Sequence, residues 1–406
     1  MNKKVVITGI GAIGPFGAGN DKFWQGLIEG KNFLRPMTRY SFSGMGGEVP
    51  GFFLMDFVKD PKLTRIPMVS QYAIASAVLA VSDSGIDLKN IDHEKAAVVF
   101  GTSNGPCFVT EKIQTSILLG GKKTVNPLLF QESVFNAPAG IISILFGIKG
   151  PCIALPLGMV AAGYGIPTAI NYLVHYGVDC VIIVASDELT QASHEAYSHL
   201  NILSQDNHET CMRPFDKARN GMVISEGGVA LILETDIHAI ERGAKKIYGE
   251  ISGYGMTSDG YRVADNNPDG SGLCWAMENA INHGQLSTDS IDYIVASALS
   301  IKKIDLMETR AIKKAFGKRA YDIPVSSIKS SIGETQGPDA LFNIAAGAFA
   351  IRDGIIPPTI NYQFRDDECD LDIVPNCARK MQVNTVLANA FSWGGMYSST
   401  IIRRFQ

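Results

Sequence analysis

The chain has 406 residues, 46% of them hydrophobic and 19% charged, enough for a large core arranged as two similar lobes. Its 36 basic and 40 acidic residues leave a formal net charge of −4. That balance gives no electrostatic case for nucleic acid, and any acidic partner would have to meet a local basic patch.

The first residues, MNKKVVITGIGAIGPFG, imitate a signal peptide, with two lysines and then an apolar run. Thr8, Gly9, Gly11 and Gly14 break that run and no small-residue cleavage site follows, so residues 5–8 are expected to form a first strand leading into a glycine-rich turn. Gly9, Gly11 and Gly14 match a GxGxxG pattern formally, but no acidic residue ends a second strand about twenty residues on, so a dinucleotide site is not supported. A helix is expected over 21–30, an irregular stretch to about residue 66, a helix over 67–84 stopped by Gly85, and a buried strand over 96–100. A loop and helix follow over 101–121, and a helical run over 126–146.

Residues 149–177, KGPCIALPLGMVAAGYGIPTAINYLVHYG, organise the rest of the chain. No charge occurs from Gly150 to Val174. The length would span a bilayer, but Pro156, Pro167 and glycines at 158, 163 and 165 suit a lipid-exposed helix poorly. The better reading is a buried strand over 152–157, a tight turn at Gly158-Met159, and a buried helix to about His175. Strand, sharp turn and helix make a nucleophile elbow. The residue at its tip is Met159, whose thioether has no proton to lose and no anionic form to attack with.

Beyond the elbow, residues 179–185 read as a strand covered on both faces. Residues 186–226 read as polar and irregular, and 229–234 as a strand. The second half repeats the rhythm, with strands over 247–255, 293–298, 324–327, 385–388 and 399–403 and helices over 270–283, 305–316 and 339–353. Alternating strands and helices argue α/β layers in which the two halves, 1–245 and 246–406, pack as one unit. Seven scattered cysteines without a CxxC suit a reducing cytosol, and argue against a disulfide framework or a structural zinc site. No metal and no cofactor is expected, and no membrane association.

Several long motifs carry a resemblance. They are VVITGIGAIGPFG, KGPCIAL, RPFDKARNGMVISEGGVALILE, VSSIKSSIG, IRDGIIPPTINY, CDLDIVP and ANAFSWGG, in that order. With them the chain resembles the condensing β-ketoacyl synthases from end to end. The resemblance implies the thiolase fold, a duplicated α-β-α-β-α five-layer sandwich, and dimerisation. It also implies a Cys-His-His set in active members, where the elbow cysteine carries the acyl chain as a thioester and the histidines assist malonyl decarboxylation. All three places are changed here. The cysteine falls on Met159, the first histidine on Ser297 and the second on Glu334, while Lys329 of the KSxxG motif is retained.

Such losses resemble the chain-length factor, the β subunit of type II polyketide ketosynthases. That subgroup pairs with an active ketosynthase α subunit and acts on chains held by an acyl carrier protein. Its elbow glutamine is absent here too. The resemblance places Cys107, Thr110 and Gln114 as inward candidates along the growing chain, with Phe108 adjacent, and Trp393 where ketosynthases carry a gating phenylalanine. It also places the strand near 179–185 at the dimer two-fold, with the apolar helix over 137–148 nearby. Two other readings stay open. One is a stand-alone thiolase-fold enzyme whose nucleophile has moved to Cys152 or Ser297; Ser297 and Glu334 with Lys329 read either as a new acid–base pair or, the favoured reading, as a satisfied polar cluster in a dead pocket. The other is a purely structural stabiliser of the ketosynthase.

Overall fold

The computed structural model describes residues 3–39, 44–88 and 90–406. Residues 1–2, and residues 40–43 of the expected irregular stretch, lie outside the described residues. The first strand, β1 (Val5–Gly14), is buried along its whole length and continues through Gly9 and Gly11, with a shift of pairing register between Ile7 and Gly9. The turn expected after residue 8 comes only after Gly14. Helix α1 (Asn20–Ile28) follows, and α2 (Met68–Ser84), stopped by Gly85 in the left-handed conformation, lies across β1. A Cβ on Gly9 would stand 2.2 Å from the Ala80 carbonyl oxygen, and one on Gly11 2.1 Å from that of Ser76. These glycines let a helix backbone approach a strand and cradle no phosphate.

The first half continues with β2 (Ala96–Thr102), α3 (Cys107–Gly120), α4 (Ala137–Phe146), β3 (Cys152–Pro156), α5 (Ala161–His175), β4 (Cys180–Asp187), α6 (Gln191–His199), β5 (Gly227–Thr235) and α7 (Asp236–Glu241). The second half holds β6 (Gly249–Ser258), α8 (Ser271–His283), β7 (Tyr293–Val295), α9 (Lys302–Phe316), β8 (Val325–Ser326), α10 (Lys329–Ile332), α11 (Asp339–Asp353), β9 (Thr385–Ser392) and β10 (Met396–Arg403). These strands lie in the order β8-β7-β9-β10-β6-β1-β5-β4-β2-β3, with Gly17–Ala18 pairing onto β1. Each half places its own strands third, second, fourth, fifth, first. In each the second strand is parallel to the third and fourth, and the remaining pairs are antiparallel. The halves meet where Val6 and Ile7 of β1 pair with Glu250 and Gly249 of β6.

This is the thiolase fold. Helices α5 and α11 pack on each other between the two half-sheets, α2 and α4 cover one outer face, and α8 and α9 cover the other. Residue alternation along β4 shows why both faces are apolar. Val181, Ile183 and Ala185 enter the central core, while Cys180, Ile182 and Val184 enter the core beneath α2.

Four further expectations need correction. Strand β3 is the last strand of the sheet, so one edge is unpaired; it is half-buried at best and Cys152 is exposed. Strand β4 is hydrogen-bonded on both sides and has no edge to offer across a two-fold axis. Residues 186–226 contain α6 and keep most of residues 191–210 at the surface, but Asp187, Glu188, Arg213, Asp216, Arg219 and Glu226 turn inward. Buried Arg219 meets Asp305 at 3.3 Å and Asp366 at 2.6 Å, and buried Glu226 accepts from Arg39 and from Tyr72 at 2.8 Å. Paired charge, rather than apolar surface, allows that segment to be interior. The helical run expected over 126–146 divides into a 3-10 turn, Pro127–Glu132, and α4. Pro167 sits inside α5, and nothing in the structure explains its place there.

Candidate functional site

The elbow is built as its sequence implies. Strand β3 ends at Pro156, Gly158 takes φ 66°, and a single 3-10 turn (Gly158–Val160) leads into α5. Only glycine suits that turn, since its conformation is left-handed and a Cβ there would lie 2.5 Å from Ser392 Oγ. The backbone N–H of Met159 donates to Ser392 Oγ at 3.3 Å. The Met159 side chain is 1% exposed and belongs to an apolar cluster with Met45, Leu189, Met212, Phe215, Met222 and Phe391. Flexible thioethers fill such irregular space well.

The positions aligned with the two histidines belong to one buried polar cluster. Lys329, at the start of α10, directs its Nζ to Glu334 Oε2 at 2.6 Å and Asp339 Oδ2 at 2.9 Å. It also approaches the carbonyl oxygen and Oγ of Ser297, both at 2.9 Å. The Ser297 hydroxyl donates to Asp339 Oδ2 at 2.9 Å, and the Ser297 backbone N–H donates to Glu308 Oε1 at 3.0 Å. Asn389 Nδ2 reaches the same Glu308 oxygen at 3.0 Å, and the Gln336 N–H holds Glu334 Oε1 at 2.7 Å. The Phe391 ring lies 5.7 Å from the ammonium. Every one of these polar side chains is 2% exposed or less.

The electrostatics follow from that burial. Desolvation raises Glu334 and Asp339 above the ordinary carboxylate range, although Lys329 pulls both down. It pushes Glu308 up to about 7. Desolvation also works against the Lys329 ammonium, but Asp339 and Glu334 outweigh it and hold the group above its usual value. Lys329 is therefore a counterion rather than a free base, and the Ser297 hydroxyl proton is directed to Asp339. Ser297 and Glu334 thus join Lys329 and Asp339 in a hydrogen-bonded ionic network in which no group is set to activate a nucleophile.

Glu308, Asp339 and Asn389 were not singled out from the sequence. Asp339 reads as an ordinary acidic residue at a helix start. Yet residues 323–351 carry only three charges, Lys329, Glu334 and Asp339, spaced five apart. Buried charges need one another, and that isolation was the available signal.

The remaining candidates lie elsewhere. Cys107 is half-buried and meets Thr190 Oγ1 at 3.4 Å, and burial raises its thiol. Thr110 and Gln114 are exposed on α3, whereas Val109 is the buried residue of that helix. Toward this chain's own core the inward register is therefore Val109, and Thr110 and Gln114 face outward from it. Phe108 is also exposed, with Lys112 Nζ 4.2 Å from its ring centroid. Trp393 is partly buried beside the cluster that holds Met159, in a turn made by Gly394 and Gly395 at φ 86° and 77°. Cys152 stands on the free edge of β3, where desolvation pushes its thiol up rather than down. Helices α3 and α4 and the 3-10 turn between them expose large apolar side chains, among them Leu118, Leu119, Leu128, Phe130 and Ile144 at 71% to 85%. Among the described residues no helix is long and apolar enough to cross a membrane.

Comparison with known proteins agrees with the fold. Residues 2–239 match the β-ketoacyl synthase N-terminal domain and residues 248–363 the β-ketoacyl synthase C-terminal domain. The chain belongs to the β-ketoacyl synthase family. It is similar to 3-oxoacyl-(acyl-carrier-protein) synthase 2 of Synechocystis, at 35% identity over 100% of this chain and 99% of that one. It is similar also to the tetracenomycin polyketide synthase ketoacyl synthase alpha subunit of Streptomyces glaucescens, at 32% identity over 99% of this chain and 97% of that protein. Among solved structures, the ishigamide ketosynthase/chain length factor superposes with a TM-score of 0.94 at 26% identity, covering 100% of both chains. A type II polyketide synthase acyl carrier protein in complex with its ketosynthase gives 0.92 at 27% identity, again over 100% of both.

Proposed function

We propose that this chain is a non-catalytic chain-length factor: a subunit that pairs with an active ketosynthase and walls part of the tunnel in which a carrier-bound polyketide grows. The observation that carries the reading is Met159 at the tip of an intact elbow. A thioether cannot form the acyl thioester that condensation requires. Ser297 and Glu334, at the two positions aligned with histidine, are committed to the Lys329 network and offer no donor aimed at a developing enolate. The scaffold around them is retained, and the partner supplies the chemistry. The unpaired edge of β3 and the exposed apolar residues of α3, α4 and the turn between them supply a surface for that partner. Thr110 and Gln114 are exposed on α3, and on this reading they contribute to the tunnel wall from the junction between subunits.

A relocated nucleophile is less well supported. Cys152 has a raised thiol and Ser297 is sealed from solvent. The experiment that tests the reading is co-expression with an active ketosynthase and its carrier protein. A stable one-to-one complex is expected, with condensation dependent on the partner's cysteine. The chain alone, given malonyl carrier protein, is expected to produce neither condensation nor decarboxylation; turnover by the chain alone that Ser297→Ala abolishes would favour the enzyme reading.

A further inference from the structure

We infer that Glu188 is a proton-dependent latch between α2 and α3, which holds the start of α3 while its carboxyl group is neutral and loosens it once that group is ionised. The latch does not depend on the chain-length reading. Neither helix caps its own first turn. Pro67 precedes α2 and Pro106 precedes α3, and a proline side chain has no atom to accept a hydrogen bond. Glu188, the residue after β4, serves both. Its Oε1 accepts the Phe108 N–H at 3.0 Å and its Oε2 the Val69 N–H at 3.3 Å, so one carboxyl group takes the second backbone donor of each helix. Asp187 beside it holds the approach to α3, accepting the N–H groups of Ser103, Asn104 and Gly105 at 2.7, 2.8 and 3.3 Å. The start of α3 is thus tied down by two adjacent acids.

Unlike Arg219 and Glu226, these two acids have no counterion. Glu188 is 2% exposed and Asp187 fully buried, and among the described residues no cation forms an ion pair with either. Arg39, the cation of this region, is engaged by Glu226 at 2.7 Å. The remaining groups around the site are acidic or neutral. Glu226 accepts from the Tyr72 hydroxyl of α2 at 2.8 Å. Helix α3 brings Glu111, which accepts from the Ala192 N–H, and the Cys107 thiol, which burial raises. Helix α6 brings His194, which burial pushes toward its neutral form, and the Tyr197 phenol, pushed up to about 12. A buried carboxyl group so placed resists ionisation. Desolvation outweighs the two backbone N–H groups, Glu226 and Asp187 add to it, and Glu188 is pushed up to about 7; Asp187 is pushed up to about 6 by its burial. When α3 lifts, Glu188 meets water and returns toward its ordinary 4.5. The closed state therefore keeps a proton that the open state gives up. That advantage is fully present below about 4.5 and is lost as pH rises toward about 7. The helix that loosens is the one whose exposed Ile117, Leu118 and Leu119 form part of the apolar surface.

The test is amide hydrogen exchange of the full chain alone, read at Phe108, Val109 and Thr110, corrected for intrinsic rates and referred to helix α8 of the other half. Between about pH 6 and about pH 7, opening at the start of α3 is expected to rise about fivefold, the share of one proton's release that falls in that interval. Glu188→Gln keeps the shape and cannot ionise. It accepts only one of the two N–H groups, so it is expected to open more than the unaltered chain at pH 6 and to show no further rise at pH 7. Asp187 completes most of its own titration below that interval. Equal opening of the unaltered chain at the two pH values overturns the latch, and so does an equal rise in Glu188→Gln.

Discussion

Met159 and Lys329 show what single residues decide here. At the elbow, one thioether stands where no acyl thioester can form on it and leaves the turn intact, because Gly158 rather than Met159 makes the turn. Restoring the thiol is therefore insufficient: Met159→Cys, in complex with a partner whose own cysteine is removed, is expected to show condensation no higher than a blank, since no histidine stands at 297 or 334. Recovery of activity would contradict this reading of the cluster. Lys329 is the sole cation reaching both Glu334 and Asp339 among the described contacts. Lys329→Met leaves buried acids uncompensated and is expected to cost about 3 kcal/mol, read from a urea midpoint. Glu308 supplies a pH signature. Its folded value of about 7 lies above its ordinary 4.5, so the folded chain holds a proton that the unfolded chain releases across that interval. Stability is thus expected to fall as pH rises from about 4.5 to about 7, and Glu308→Gln to flatten that slope. The identity of Met159, Ser297 and Glu334 was legible in the sequence. Their coupling through Asp339 was not, because a residue 42 positions from Ser297 is joined to it only by the fold.

At the scale of elements, the sequence reading succeeded where periodicity was strong and erred where context decides. The strands and helices of both halves sit near their expected places, because long apolar runs bounded by glycine have little alternative. Glycines 9 and 11 looked like a turn until α2 was seen to rest on them. Gly11→Val is expected to destabilise the chain by about 3 kcal/mol through that contact, measured by chemical denaturation; an unchanged midpoint would refute the packing argument. Strand β3 looked buried because its composition is apolar, but composition cannot tell a core strand from an apolar strand at the end of the sheet. Residues 186–226 misled in the opposite sense, since Arg219 and Glu226 among them are paired inside.

The whole molecule is a duplicated sheet whose two halves repeat one strand order, with a sealed polar cluster in one half and an unpaired apolar edge in the other. The duplication was implied by resemblance and becomes visible in the topology. The edge and its neighbours define where association is expected. Ile144→Asp, at a residue 82% exposed in the single chain, should leave the monomer fold intact and weaken the one-to-one complex at least about tenfold, or about 1.4 kcal/mol, by sedimentation or calorimetry. On the function proposed above, this chain shapes a tunnel and leaves condensation to its partner. That function is tested most directly by product length from the reconstituted pair with carrier protein and malonyl units, comparing the unaltered chain with Gln114→Trp. The account predicts an intact complex whose products are shorter by whole two-carbon units. Products of unchanged length from an equally stable and active pair would contradict it.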